Sequence, residues 1–188
     1  QGTTLFVDAG VHTRKMDQNA AKAVPDGSRQ PGEWIARYIQ KVLKSARLTQ
    51  LDYALLTHFD TDHIGGVLPG LKSGKGNYLL TGISEVAEYI PIAKIIDRNW
   101  PDYNWPKPLT QDHIVNYRQF VEWQVKNKGV KAEQFKVGSA SQLSLVKQPE
   151  KYPNLQIRNL VANGVGWKGK GEETENHYPP VESLTTQL

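Results

Sequence analysis

The sequence predicts an α/β protein, and three features carry that expectation. An apolar, β-branched strand pattern at Thr3 to Val7 is followed by an amphipathic helix pattern opened by Pro31, then by a second apolar strand pattern at Leu51 to Thr57. A strand, a helix and a strand in that order suggest a crossover unit, the building block of a parallel sheet. No apolar run approaches the ~18 residues that a membrane-spanning helix needs. With 38% hydrophobic and 22% charged residues, the 188-residue chain has the make-up of one globular domain.

The elements follow in order. Thr3-Thr4-Leu5-Phe6-Val7 reads as a strand that exits tightly through Asp8-Ala9-Gly10. Residues 11 to 30 are polar and read as a loop. From Pro31, the residues Trp34, Ile35, Tyr38, Ile39, Val42 and Leu43 recur at three-four spacing and predict one apolar helical face. Proline suits a first helical turn, and Lys41, Lys44 and Arg47 suit the negative end of the helix dipole. After the strand at 51–57, Gly65 and Gly66 would let a further helix pack closely on the sheet, with Ile64, Val67, Leu68 and Leu71 as its buried face and an end near Gly74.

Residues 75 to 109 read as irregular, with short strands at Tyr78 to Leu80 and Ile90 to Ile92 and a proline-broken aromatic loop from Asn99 to Pro108. Thr110 is a candidate cap for a helix carrying Ile114, Tyr117, Phe120, Val121 and Trp123 and stopping at Gly129. Strands are expected at Phe135 to Val137, Leu143 to Val146 and Leu155 to Val161, and a loop over 163–182. There is no internal repeat and no domain boundary.

The most informative stretch is Thr57-His-Phe-Asp-Thr-Asp-His-Ile-Gly-Gly66. His58, Asp60, Asp62 and His63 place four candidate metal ligands within six positions at the end of a strand. Side chains two apart on extended backbone point the same way, so His58, Asp60 and Asp62 can converge. His63 can turn back towards them from the start of a helix. The plainer reading is that Thr61 or Asp62 simply caps that helix. The chain has no cysteine, which excludes disulfides and thiolate ligands. Any metal would sit on histidine nitrogen and carboxylate oxygen, donors that suit zinc, manganese or iron better than copper(I). The formal net charge of +4 comes from dispersed basic residues and is compatible with an anionic substrate.

This stretch resembles the His-x-His-x-Asp-His signature of the metallo-β-lactamase superfamily, matched by His58, Asp62 and His63, with Asp60 in place of the second histidine. Leu5-Phe6-Val7-Asp8-Ala9-Gly10 is similar to the strand ending in Asp-x-Gly that precedes it there. The form of the signature looks most like the branch holding the hydrolase domains of competence-type DNA-uptake proteins. The resemblance covers residues 3 to 72.

It implies an αββα sandwich over residues 1–188, a single domain expected to be incomplete at both ends. It also implies one or two divalent metal ions, zinc or manganese first. His58 and Asp60 would serve one metal and Asp62 and His63 the other, with Asp62 also the residue on which catalysis turns and Asp8 bracing the signature loop. The metals would make hydroxide available near neutral pH and polarise the scissile group. The favoured substrate is a small-molecule or nucleic-acid-like anion, a phosphodiester above all. Trp100 and Trp105 are candidate substrate-stacking residues, and His12 is a candidate neighbour of the metals.

The sequence departs from the family in two ways. Asp60 brings negative charge and a harder oxygen donor, which favours manganese, magnesium or iron relative to zinc. Downstream, the family supplies a histidine, an aspartate in a Gly-Asp pair and a last histidine. Here only His113 and His177 follow position 72, and no Gly-Asp pair does. His113 reads as a surface or capping histidine and His177 as a weak ligand candidate. Two alternatives therefore stand beside the phosphodiesterase: a lactone, lactam or thioester hydrolase of the same fold, and an accessory domain with a degenerate metal site. A soluble domain is expected, either cytoplasmic or exported, and Gln1 at the start fits a processed, trimmed or partial chain.

Overall fold

The computed structural model describes residues 2–11, 19, 21–22 and 24–183. Its centre is a parallel sheet of four strands in the order β1-β2-β3-β4: β1 (Leu5–Val7), β2 (Leu51–Leu55), β3 (Ile92–Asp97) and β4 (Lys131–Gln134). Each strand lies beside its predecessor, and the connections carry α1 (Pro31–Ser45), the single turn α2 (Thr61–Ile64), α3 (Gly82–Tyr89) and α4 (Asp112–Lys128). Crossovers of one hand between consecutive strands put the helices on one face. The main core lies there: Ala36, Ile39 and Leu43 of α1, Ile83 and Val86 of α3, and Ile114, Tyr117, Phe120 and Val121 of α4 cover Ala54 and Ile95 of the sheet. On the other face a smaller cluster joins Tyr53, Ile96 and Leu143, flanked by Leu55 and Phe135. Among the described residues no helix is long and apolar enough to cross a membrane.

The α/β class and the first strand-helix-strand unit match the sequence expectation. Several details differ, for physical reasons. The buried stripe of α1 is Gly32, Ala36, Ile39 and Leu43, whereas Tyr38 is 71% exposed and Val42 is 50% exposed. The helix is rolled towards α3, and Gly32 is where they touch: a Cβ there would lie 2.4 Å from Glu85 Oε2. The helix expected to run to Gly74 stops at Ile64, because Gly65 takes φ +100 and passes against the backbone of Gly82. Val67, Leu68 and Leu71 are half-buried in irregular chain.

Within 75–109 lie α3 and the whole of β3, so that segment is largely regular. Its helix starts where Ser84 Oγ accepts the Thr81 N–H at 2.9 Å. Tyr78 to Leu80 forms only a single bridge, Ser73 to Leu79. The N-cap of α4 is Gln111 rather than Thr110, while Gly129 ends the helix at φ 69 as expected.

The strands expected at 135–137 and 143–146 do not form. The fourth strand is the polar Lys131–Gln134, an edge strand held by backbone pairing. The tail expected as loop is instead a small antiparallel sheet, β5 (Val161–Ala162), β6 (Val165–Trp167) and β7 (Thr174–Asn176). Its first turn is Asn163-Gly164, at φ 50 and 74, the Asn-Gly pair that two-residue hairpins favour.

The contact between α1 and α3 buries a carboxyl group. Glu85 is 7% exposed, and burial raises its pKa from 4.5 to about 7. The Glu33 charge adds to the rise, while the backbone N–H groups of Glu33 and Gly32 and the charge of Lys72 oppose it. The native state then holds a proton that the unfolded chain has released between pH 4.5 and about 7. Stability from this group is fully present below 4.5 and is lost as pH rises through 7. The loss reaches up to about 3 kcal/mol. Glu85→Gln removes this titration. Its stability relative to the parent should therefore rise by up to about 3 kcal/mol between acid and about pH 8, as read by urea denaturation across pH.

Candidate metal centre

The site forms where the carboxyl ends of β1 and β2 meet. After Val7 the chain turns through Asp8 at φ 53, a left-handed conformation, and the Asp8 N–H donates to Leu55 O at 3.0 Å. This turn aims the Asp8 carboxylate across at the loop leaving β2. Its Oδ1 accepts the Thr57 N–H at 2.8 Å, its Oδ2 accepts the Thr57 hydroxyl at 2.7 Å, and Oδ2 also lies 2.8 Å from His63 Nδ1. An Nδ1–H facing a carboxylate leaves the lone pair of a neutral ring on Nε2. The Thr57 oxygen, having given its proton to Asp8, is free to accept from His58 Nδ1 at 3.1 Å. One carboxylate thus orients both imidazoles, the second through Thr57.

The two rings lie side by side, with centroids 3.6 Å apart. His63 Nε2 is 3.6 Å from Asp62 Oδ2. One ligand atom from each of His58, Asp62 and His63 lies within 4.8 Å of the others. Two imidazoles and a carboxylate gathered this closely, with Nε2 turned outward, form a donor set that fits a divalent cation.

Asp60 stands outside that trio. It is the N-cap of α2 through its backbone, whose C=O accepts the N–H groups of His63 and Ile64 at 2.9 and 3.0 Å. Its side chain makes no capping hydrogen bond, is 77% exposed, and approaches His58 Nε2 at 3.6 Å. The helix is therefore not capped by the side chain of Thr61 or Asp62, and the Asp62 carboxylate is left to the trio.

Backbone packing holds the loop in register. Ala9 N–H donates to His63 O at 2.8 Å and Val11 N–H to Thr61 O at 3.0 Å, so residues 8–11 run directly beside 61–63. The approach is closest at Gly10, where a Cβ would sit 1.5 Å from the carbonyl oxygen of Asp62. His12 lies outside the described residues.

The other predicted residues are placed as follows. His113, half-buried in the first turn of α4, lines a surface depression of about 430 Å³ with Asp60, Thr61 and Asp62. His177 is exposed, and its ring lies against Gly166. Trp100 packs on the main core, 6.4 Å from the Tyr103 ring. Trp105 is half-buried and faces the Arg98 guanidinium at 6.0 Å.

Buried Asp97 fixes the loop bearing both tryptophans. Its Oδ1 accepts the N–H groups of Asn99 and Trp100, and its Oδ2 accepts the hydroxyls of Tyr103 and Tyr117 at 2.7 and 2.9 Å. Burial and the Asp97 charge push both tyrosine hydroxyls well above their usual range, which keeps them as donors. Sequence reading missed Thr57 and Arg98. Thr57 was visible only as the last residue of a strand, and the role of Arg98 depends on contacts from other segments. A cavity of about 810 Å³ lies at the opposite edge of the sheet, where Gln50, Pro91 and Val130 begin the strands.

No protein-family model matches the chain, and neither does any curated protein.

The close approach at Gly10 gives a test of the loop packing. Gly10→Ala should cost several kcal/mol, on the order of 3 or more, because a backbone must move. Gly27→Ala, where an added Cβ meets nothing within 4 Å, should change stability by less than about 0.5 kcal/mol. Paired denaturation curves check both.

Proposed function

We propose that the chain is a metal-dependent hydrolase acting on phosphodiester or nucleic-acid-like anions, of the metallo-β-lactamase type. The observation that carries this reading is His63. Its Nδ1 is held by Asp8 and its Nε2 is left beside Asp62 and His58. A carboxylate behind a histidine is the usual way a protein orients an imidazole for a metal. The parallel sheet, helical on one face and lightly covered on the other, is compatible with one half of an αββα sandwich. The site's place at the carboxyl edge of the strands is where open α/β sheets put their chemistry.

In this reading His58, Asp62 and His63 hold zinc or manganese, Asp8 and Thr57 orient the rings, and Asp60 adds negative charge at the mouth. A divalent cation there would lower the pKa of a water and polarise the scissile group. The partly exposed Asp62 carboxylate is at hand to orient that water and hold its proton as the bond breaks.

The test is metal content and turnover on the same protein. Elemental analysis after loading should find zinc or manganese bound stoichiometrically, and a chromogenic phosphodiester should be cleaved until chelator is added. Asp62→Ala should lower the rate by about 100-fold or more, and Asp8→Asn should weaken metal affinity by roughly 10–100-fold while leaving the donor trio intact. Absence of bound metal at saturation defeats the proposal. Cleavage of thioesters or lactones without phosphodiesters moves the substrate to the neutral-acyl class, and bound metal without turnover on any of them makes this an accessory domain.

A further inference from the structure

The guanidinium of Arg98 stands on the same rim as the trio. Arg98 follows β3, whose end runs beside that of β2, with Leu55 in register with Ile96 and the Leu56 N–H donating to Ile96 O at 2.9 Å. Its Cζ lies 5.8 Å from the Phe59 ring centroid, between His58 and Asp60 in sequence, and 6.0 Å from that of Trp105. Two aromatic faces thus hold the group in place.

Its hydrogen bonding is incomplete. The Nε–H donates to Asn99 Oδ1 at 3.1 Å. A guanidinium has five N–H donors, and among the described residues the Nη groups have no hydrogen-bond acceptor and no carboxylate within salt-bridge distance. Tyr178, Asp60 and buried Asp97 act on the cation only through space, without a hydrogen bond to its Nη groups. A half-buried arginine normally spends its fork on a carboxylate or a phosphate.

A scaffold role is already filled by the main chain. The Arg98 C=O accepts Gln134 Nε2 at 3.0 Å and Asn163 Nδ2 at 2.9 Å, tying β4 and the small sheet to this corner. Those bonds do not need the side chain.

We propose that Arg98 is the oxyanion anchor of the site: its free Nη groups bind the phosphate of the substrate, with Phe59 and Trp105 holding the guanidinium flat. Trp105 then serves the substrate through Arg98 rather than by stacking on a base. This inference rests on the hydrolase reading for the identity of the substrate, but phosphate binding can be measured without turnover.

The experiment is calorimetric titration of inorganic phosphate into the intact protein, with and without manganese, for the parent, Arg98→Lys and Arg98→Met. Arg98→Met keeps an apolar stem between the two rings, and its circular dichroism and melting curve report whether the corner survives. The expected result is a loss of phosphate affinity of roughly 10-fold or more in Arg98→Met, with Arg98→Lys in between because it keeps charge but not the fork. On a phosphodiester the same change should appear in KM, with kcat within about 3-fold, since an interaction equal in ground and transition states moves KM alone. A thymidine dinucleotide that binds tighter than phosphate points to a nucleic-acid source, and equal binding points to a small ester; both support the anchor. No phosphate binding by the parent, or equal binding by parent and a folded Arg98→Met, overturns it. Loss of metal binding or turnover with phosphate binding intact would instead count against the hydrolase reading alone.

Discussion

The carboxylate of Asp8 is the point on which this site depends. It closes the end of β1 against the end of β2 and, in the same act, sets the orientation of two imidazoles. Its backbone is left-handed at φ 53, which costs a residue with a side chain roughly 1–2 kcal/mol. Hydrogen bonds from the Thr57 N–H, the Thr57 hydroxyl and His63 offset that cost, because bonds to a charged acceptor are stronger than neutral ones. The conformation is therefore stable only while the loop from 57 to 63 stays where it is. Loop position and ring orientation are coupled: a loop displaced from Asp8 would lose the orientation of His63 and, through Thr57, that of His58.

Close backbone contact makes that coupling stiff. Gly10 runs against the Asp62 carbonyl, and Gly82 runs against the carbonyls of Ile64 and Ala9. Gly82, at φ 49, opens α3, and Gly65, at φ 100, closes α2. The first turn of one helix and the end of another are thus laid on the strand exit with no side chains between them. This is why α2 is one turn long. A longer helix would have carried the chain away from the place where α3 must begin.

What the sequence reveals follows from how local each signal is. Pro31 and the apolar repeat announced α1, and Gly129 announced the end of α4, because caps and periodicity are written within a few residues. The roll of α1 was not legible, since Ala36 and Gly32 are buried by what α3 presents and Tyr38 looks as apolar as Ile39. The polar strand Lys131–Gln134 pairs through its backbone and leaves no alternation to find. The Asn163-Gly164 turn was a local signal, hidden among the lysines and glycines of a segment with loop composition. In the candidate site, spacing gathered His58, Asp60, Asp62 and His63; the structure brings three of them together and leaves Asp60 outside the trio. Thr57 was not, because a threonine at a strand end has many uses and only the three-dimensional position of Asp8 selects this one.

The position of Asp60 follows from Phe59. That ring is 4% exposed and sits 5.6 and 5.5 Å from the rings of Tyr103 and Tyr117, whose hydroxyls are fixed by Asp97. Along an extended segment the neighbours of an inward side chain point outward. Burial of Phe59 therefore turns His58 and Asp60 to the same outer side, and their 3.6 Å approach is a consequence of packing rather than of attraction between them. The loop from 57 to 63 is thus gripped from two sides, by Asp8 at the exit of β1 and by the Asp97 network at the end of β3. Whatever residue occupies position 60 would face His58 and the mouth of the site without setting the geometry of the trio. A carboxylate there changes the charge an incoming group meets, and it acts through space on the neighbouring cation of Arg98.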